Sequence, residues 1–223
     1  MITIGIEGKP ASGKTTLSKY LTQTYPYVER IEVDKIVEEM GLDGLRDAIL
    51  TCVNIFAKMV VSGKGRYKRK IKSEDDKIQK KIRTPIVFKI AANAYFKSVS
   101  DSIKRQLEIC EKRGDKIVVV DYALLNISSI WKEFDYRVLV NRNEEDRREA
   151  MKKRDGKDDK DVDFFSIFSN FDVVKYGEGD SIHIQNDGDE ADLKNKADLL
   201  LKQILDSLIE KRKIYSTKGI PER

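Results

Sequence analysis

The sequence predicts an α/β protein, a parallel sheet of about five strands covered by helices on both faces. Three observations carry this expectation. Short β-rich apolar runs recur at Ile2–Ile6, Val28–Val33, Ile117–Val120, Tyr136–Val140 and Ser181–Gln185. Stretches whose apolar residues fall at three- and four-residue spacing lie between them. Ile117–Val120 is apolar at every position and β-branched, the pattern of a parallel strand buried on both faces.

Each element has its own local reason. Ile2–Ile6 leads into a Gly- and Pro-containing loop and then a helical Lys14–Leu21, so it reads as a strand and not as a signal peptide. Val28–Val33 is the second strand, and Asp34 opens the next helix. Leu45, Ile49, Val53, Phe56 and Val60 mark a helix over Leu45–Val61. Thr84-Pro85 opens a long helix to about Arg113, with Ile86, Ile90, Tyr95, Val99, Ile103 and Leu107 on its buried side and Gly114 as its C-cap. Asn143 caps a helix from Glu144 to about Arg154, with Asp146 placed for a return contact to the cap. A charged break follows at Asp155–Asp161, then an apolar helical Phe164–Phe171. Asn186-Asp187-Gly188 turns the chain into a final amphipathic helix marked by Leu193, Ala197, Leu200, Ile204 and Leu208.

Composition narrows the function classes. The chain has 223 residues, 36% of them charged, and a net charge of +5, which suits an anionic ligand without naming one. Cys52 and Cys110 form no close-spaced pair and read as reduced thiols; with one His in the chain they supply no structural metal site. No apolar run reaches the roughly 18–20 residues of a membrane span, so a cytoplasmic protein without a membrane partner is expected.

The strongest motif is Gly8-Lys9-Pro10-Ala11-Ser12-Gly13-Lys14-Thr15, which fits G-x-x-x-x-G-K-[ST] between a strand and a helix. In such a P-loop the glycines let the backbone bend around an anion, and successive N–H groups and the helix N-terminus face the phosphates. Gly8, Ala11, Ser12, Gly13, Lys14, Thr15 and Thr16 are the expected nucleotide-binding residues. Lys14 reaches the β- and γ-phosphates of ATP, and the Thr15 hydroxyl ligates Mg²⁺. Asp121, at the end of its apolar strand, either holds Mg²⁺ directly or through water, or caps the turn that follows.

Several further segments, taken in order, resemble dephospho-CoA kinase. They are Glu32-Val33-Asp34 after the second strand, Thr84-Pro85 at a helix start and Val118 through Leu125. Phe134 through Val140, the helix with Arg147, Arg148 and Lys153-Arg154-Asp155-Gly156, and Ile184-Gln185-Asn186-Asp187-Gly188 continue the series. The chain departs from the family at Glu32, Glu38, Thr84, Ala123, Ser166 and Asn170. The resemblance implies a three-layer P-loop kinase fold with a helical acceptor lobe and a helical lid. It divides the chain into a nucleotide-binding core (1–44 and 114–215), an acceptor lobe (45–113), a lid (144–176) and a tail (216–223).

It also implies a reaction, transfer of the γ-phosphoryl of ATP to the ribose 3′-hydroxyl of dephospho-CoA. Asp34 is then the base for the acceptor hydroxyl, or else an N-cap. Arg148 stabilises the transferring phosphoryl and Arg154 contacts ATP, or the lid arginines form a solvated cationic face. Asn186, Asp187 and Gly188 border the adenine of the nucleotide, with Asp187 and Gly188 binding it, or belong only to a strand-to-helix turn. His183 alternates with Ile182 and Ile184 and reads as structural. The basic stretch 62–83, with ten Lys/Arg and three acids, is either a solvated surface, a clamp for a polyanionic acceptor or a nucleic-acid contact. Tyr67 is its only aromatic, which disfavours a base-stacking platform. Two other classes stay open: a kinase for nucleoside monophosphates or shikimate-like alcohols, and a nucleotide-binding regulator without turnover.

Overall fold

The computed structural model describes residues 1–42, 86–125, 128–155 and 181–218. The expected helices at 45–61 and 164–171, the basic stretch 62–83, Thr84-Pro85, Ser166 and Asn170 lie outside them.

Strand β1 (Ile2–Glu7) leads through the glycine loop to α1 (Lys14–Thr24), then β2 (Val28–Glu32) and α2 (Val33–Glu39). Helix α3 (Ile86–Arg113) returns the chain to β3 (Ile117–Asp121). A short 3₁₀ turn (Ser129–Glu133) precedes β4 (Tyr136–Asn141), α4 (Glu144–Asp155), β5 (Ile182–Gln185) and α5 (Glu190–Lys218). The five strands pair in parallel in the order β2-β3-β1-β4-β5. The expected fold class is therefore the observed one.

Alternation along each strand sends side chains to two cores. Ile4 and Ile6 of β1, Ile117 and Val119 of β3, and Val138 and Val140 of β4 meet Leu17 and Leu21 of α1 and Leu193, Ala197, Leu200 and Ile204 of α5. On the other face Val118 and Val120 meet Val33 and Val37 of α2 and Tyr95, Val99 and Ile103 of α3. Helix α3, expected in the acceptor lobe, thus covers the sheet as part of the core. The 3₁₀ turn adds fully buried Trp131 to this second core. Sequence pattern gave no sign of it, because five residues are too few to establish a period.

The helix ends follow their glycines. At Gly114 (φ 87°) the Asp115 N–H bonds the Cys110 carbonyl and the Gly114 N–H bonds that of Glu111, both at 3.0 Å. These two bonds make the Schellman closure that stops α3. The Asn143 side chain caps α4 as expected, accepting from the Glu145 N–H at 2.9 Å. The return contact comes from elsewhere: the Asn143 N–H donates to Asp187 at 2.7 Å, tying α4 to the turn after β5. Helix α5 continues to Lys218, into the expected tail.

Candidate functional site

The site sits where β1, β4 and β5 deliver the chain to helices, at the carboxyl ends of the strands, as open α/β sheets favour. A Cβ on Gly8 would lie 2.5 Å from both the Val140 carbonyl and the Ser12 hydroxyl, so the loop can pass β4 there only as glycine. The Ser12 N–H closes a tight turn on the Lys9 carbonyl at 3.0 Å. Ala11 has φ of 61°, a left-handed conformation that costs a residue with a Cβ about 1 kcal/mol or more unless its surroundings hold it.

Three remote side chains supply that hold. Arg147 of α4 donates to the Pro10 carbonyl (3.3 Å), Arg142 after β4 to the Ala11 carbonyl (3.5 Å), and Asn186 after β5 to the Ser12 carbonyl (2.7 Å). In a trans peptide the C=O of one residue and the N–H of the next point opposite ways. These bonds fix the peptide planes that carry the N–H groups of Ala11 and Gly13. Both residues line a cavity of about 370 Å³, together with Lys14, Thr15 and Thr16. No side chain caps the N-terminus of α1, so its positive dipole end belongs to the cavity. Arg142, Asn186, Gly188 and Leu193 line it too.

Of the expected residues, Ala11, Gly13, Lys14, Thr15, Thr16 and Gly188 are thus brought together. Gly8 and Ser12 are buried beneath the loop. Asp187 is turned to the backbone of Asn143, whose N–H, with Gln185, holds its carboxyl below the ordinary range. Arg154 lies on the last turn of α4, and Asp34, exposed, on the first turn of α2.

The lid arginines separate by burial. Arg147, 1% exposed, is the brace on Pro10, and it grips Glu144 at 2.6 and 3.0 Å. Arg148 is half-exposed and bonds the same Glu144 at 3.2 Å. The Arg147 hydrogen bonds, with those of Arg148 and against the cost of burial, hold Glu144 down at about 2. Lys9 of the loop lies 3.6 Å from the same carboxylate.

Asp121 does not line the cavity, and both its oxygens accept from Arg30, at 3.0 and 3.2 Å. The Thr15 hydroxyl, on the cavity floor, fits a Mg²⁺ carried by nucleotide phosphates; Asp121 as paired does not fit direct ligation. Among the described residues no cluster of His, Cys, Asp and Glu could hold a metal by itself. No helix among them is long and apolar enough to cross a membrane.

Sequence reading missed Arg142 and Arg30 as functional candidates, and read Asn186 as bordering adenine or part of a turn, not as a brace on the loop. The available signal for Arg30 was a charge between Val28 and Ile31 in a buried strand, which needs a partner, and Asp121 ends another strand.

No family model matches the sequence, and no curated protein matches it significantly. Solved structures do match. The Thermus thermophilus protein TT1252 aligns over 91% of this chain and 97% of its own, at 17% identity and a TM-score of 0.53. Shikimate kinase from Acinetobacter baumannii, solved with shikimate, aligns over 93% and 94%, at 12% identity and a TM-score of 0.52. The chain thus has the α/β fold found in P-loop kinases. Dephospho-CoA kinase from Campylobacter jejuni aligns at a TM-score of 0.41 and 15% identity, covering 91% and 96%, and carries no weight for the acceptor.

Proposed function

We propose that the protein is an ATP-dependent kinase for a small alcohol, with dephospho-CoA as the acceptor to test first. The braced loop carries the first half of this reading. Ala11, Gly13, Lys14, Thr15 and Thr16, at the N-terminus of α1, line one cavity large enough for a nucleotide, an arrangement suited to a triphosphate. The resemblance of the Asp34, Val118–Leu125 and Asn186–Gly188 segments to dephospho-CoA kinase carries the choice of acceptor.

Phosphoryl transfer needs in-line placement and charge neutralisation more than covalent help. Lys14 neutralises the β- and γ-phosphates, and the loop N–H groups orient them. Asp34 orients the acceptor hydroxyl and takes its proton as the oxygen bonds to the γ-phosphorus and the bond to ADP breaks. Arg148 stabilises the equatorial oxygens once it leaves Glu144, and Arg154 contacts the nucleotide. Thr15 would hold a Mg²⁺ bound with the nucleotide, which would supply further neutralisation.

A coupled assay of ATP consumption across dephospho-CoA, nucleoside monophosphates and shikimate tests the reading. Turnover is expected to rise sharply with dephospho-CoA, and Asp34→Asn to cut kcat about 10²-fold with ATP affinity little changed. Turnover with another alcohol alone keeps the kinase and discards this acceptor. ATP binding with no acceptor-dependent rate makes the protein a regulator.

A further inference from the structure

Arg30 of β2 turns its side chain to Asp121 at the end of the neighbouring strand β3. Its side chain is 12% exposed and that of Asp121 is 4% exposed. The guanidinium meets Asp121 through two nitrogens, with Nε at 3.0 Å from one oxygen and Nη2 at 3.2 Å from the other. Its Nη1 donates to Glu32 at 3.0 Å, and its Nε also donates to the Ser18 hydroxyl at 2.9 Å. Ser18 lies one turn below Thr15 on α1 and bonds the Thr15 carbonyl at 3.2 Å. Asp121 pairs in register with Ile6 on one side and Glu32 on the other, so it stands between the strand that carries the loop and the strand that carries Arg30.

A carboxylate whose two oxygens accept from a fixed guanidinium is already neutralised and has fewer lone pairs to offer, so it is a weaker ligand for a divalent cation. The two cations therefore compete for one buried anion. We propose that Arg30 is a resident counter-cation of Asp121 that weakens divalent-metal binding beside the P-loop and so sets the metal dependence of nucleotide binding. The proposal rests on the reading of the loop as a triphosphate site. Glu32 keeps Lys35 at 3.4 Å, but Asp121, on the strand beside β1, has Arg30 as its ion-pair partner; without Arg30 its charge would stand unneutralised, and metal affinity would rise.

The test uses the full chain with a non-hydrolysable ATP analogue, and Mn²⁺ as the probe, its free concentration read by electron paramagnetic resonance. Arg30→Met is expected to bind Mn²⁺ about tenfold tighter than the natural protein. Adding Asp121→Asn to it should remove that gain. Arg30→Lys keeps a charge but cannot hold both oxygens, and should fall between; it stands in if Arg30→Met does not fold. Mn²⁺ affinity no tighter than the natural protein's in a folded Arg30 variant, or a gain that survives Asp121→Asn, overturns the proposal. Binding of a fluorescent ATP analogue, measured alongside with and without metal, separates the two readings. Its absence from the natural protein under both conditions removes the triphosphate site and this inference with it, whereas its presence with unchanged Mn²⁺ affinity in the variant removes only the role of Arg30.

Discussion

A backbone carbonyl has no side chain to mutate, so the brace on the phosphate loop has to be tested from its donors. Asn186 is the sharpest probe, because it is 5% exposed and its amide makes the shortest of the three brace contacts. Asn186→Asp keeps the shape and replaces the donor by an oxygen facing the Ser12 carbonyl. Leaving a buried carbonyl without its donor costs about 1–3 kcal/mol, and the like-charged oxygens add to it. Part of that energy is expected to appear in the loop rather than the whole fold, since the core of α1 and α5 packs elsewhere. Calorimetry should show ATP affinity down about tenfold with an unchanged circular dichroism spectrum. Equal affinities in a folded variant would mean that the loop holds its shape unaided. The motif and its glycines were legible in the sequence because loop, strand and helix are contiguous. The donors were not, because Arg142, Arg147 and Asn186 lie 131, 137 and 174 residues away from their acceptors.

At the scale of elements, hydrophobic periodicity carried far. The five strands were legible from their short apolar runs, α3 and α5 from their apolar spacing, α1 from its place after the glycine loop and α4 from its Asn143 cap. The end of α2 was not read, although Gly41 at φ 63° stops it by the same closure as Gly114. Nor could spacing rank the arginines of α4, since Arg147 and Arg148 are neighbours and differ only in which face they take. That ranking has a pH consequence through Glu144. In the folded protein Arg147 and Arg148 stabilise its ionised form, lowering it from 4.5 to about 2. A depressed carboxyl contributes stability that is complete above the unfolded value and is lost as pH falls through the folded one. Melting temperature should therefore carry a Glu144 contribution that fades between pH 4.5 and about 2. Glu144→Gln, measured against the natural protein over that window, should have the flatter curve. Parallel curves would show that the carboxylate is not coupled to folding.

The whole molecule brings these elements to one point. The cavity takes its floor from the β1–α1 turn and its walls from the turns after β4 and β5, so it exists only when the parallel sheet has closed around β1. A ligand that needs all three turns binds the folded state and not the unfolded chain. Linkage then gives a stabilisation of about 2.7 kcal/mol at a concentration a hundredfold above Kd. For a chain of this size each kcal/mol moves the melting temperature by about 2–4 °C, so ATP with Mg²⁺ should raise it by about 5–10 °C. AMP, which lacks the β- and γ-phosphates, should give a smaller rise at the same concentration. Lys14 lines the cavity and lies outside both cores, so Lys14→Ala should leave the ligand-free melting temperature nearly unchanged while removing most of the ATP-induced rise. A differential scanning measurement on the two proteins, each with no ligand, AMP and ATP, decides the matter. An equal rise in Lys14→Ala would move nucleotide binding away from the braced loop. No rise in the natural protein at millimolar ATP would remove the triphosphate from the site.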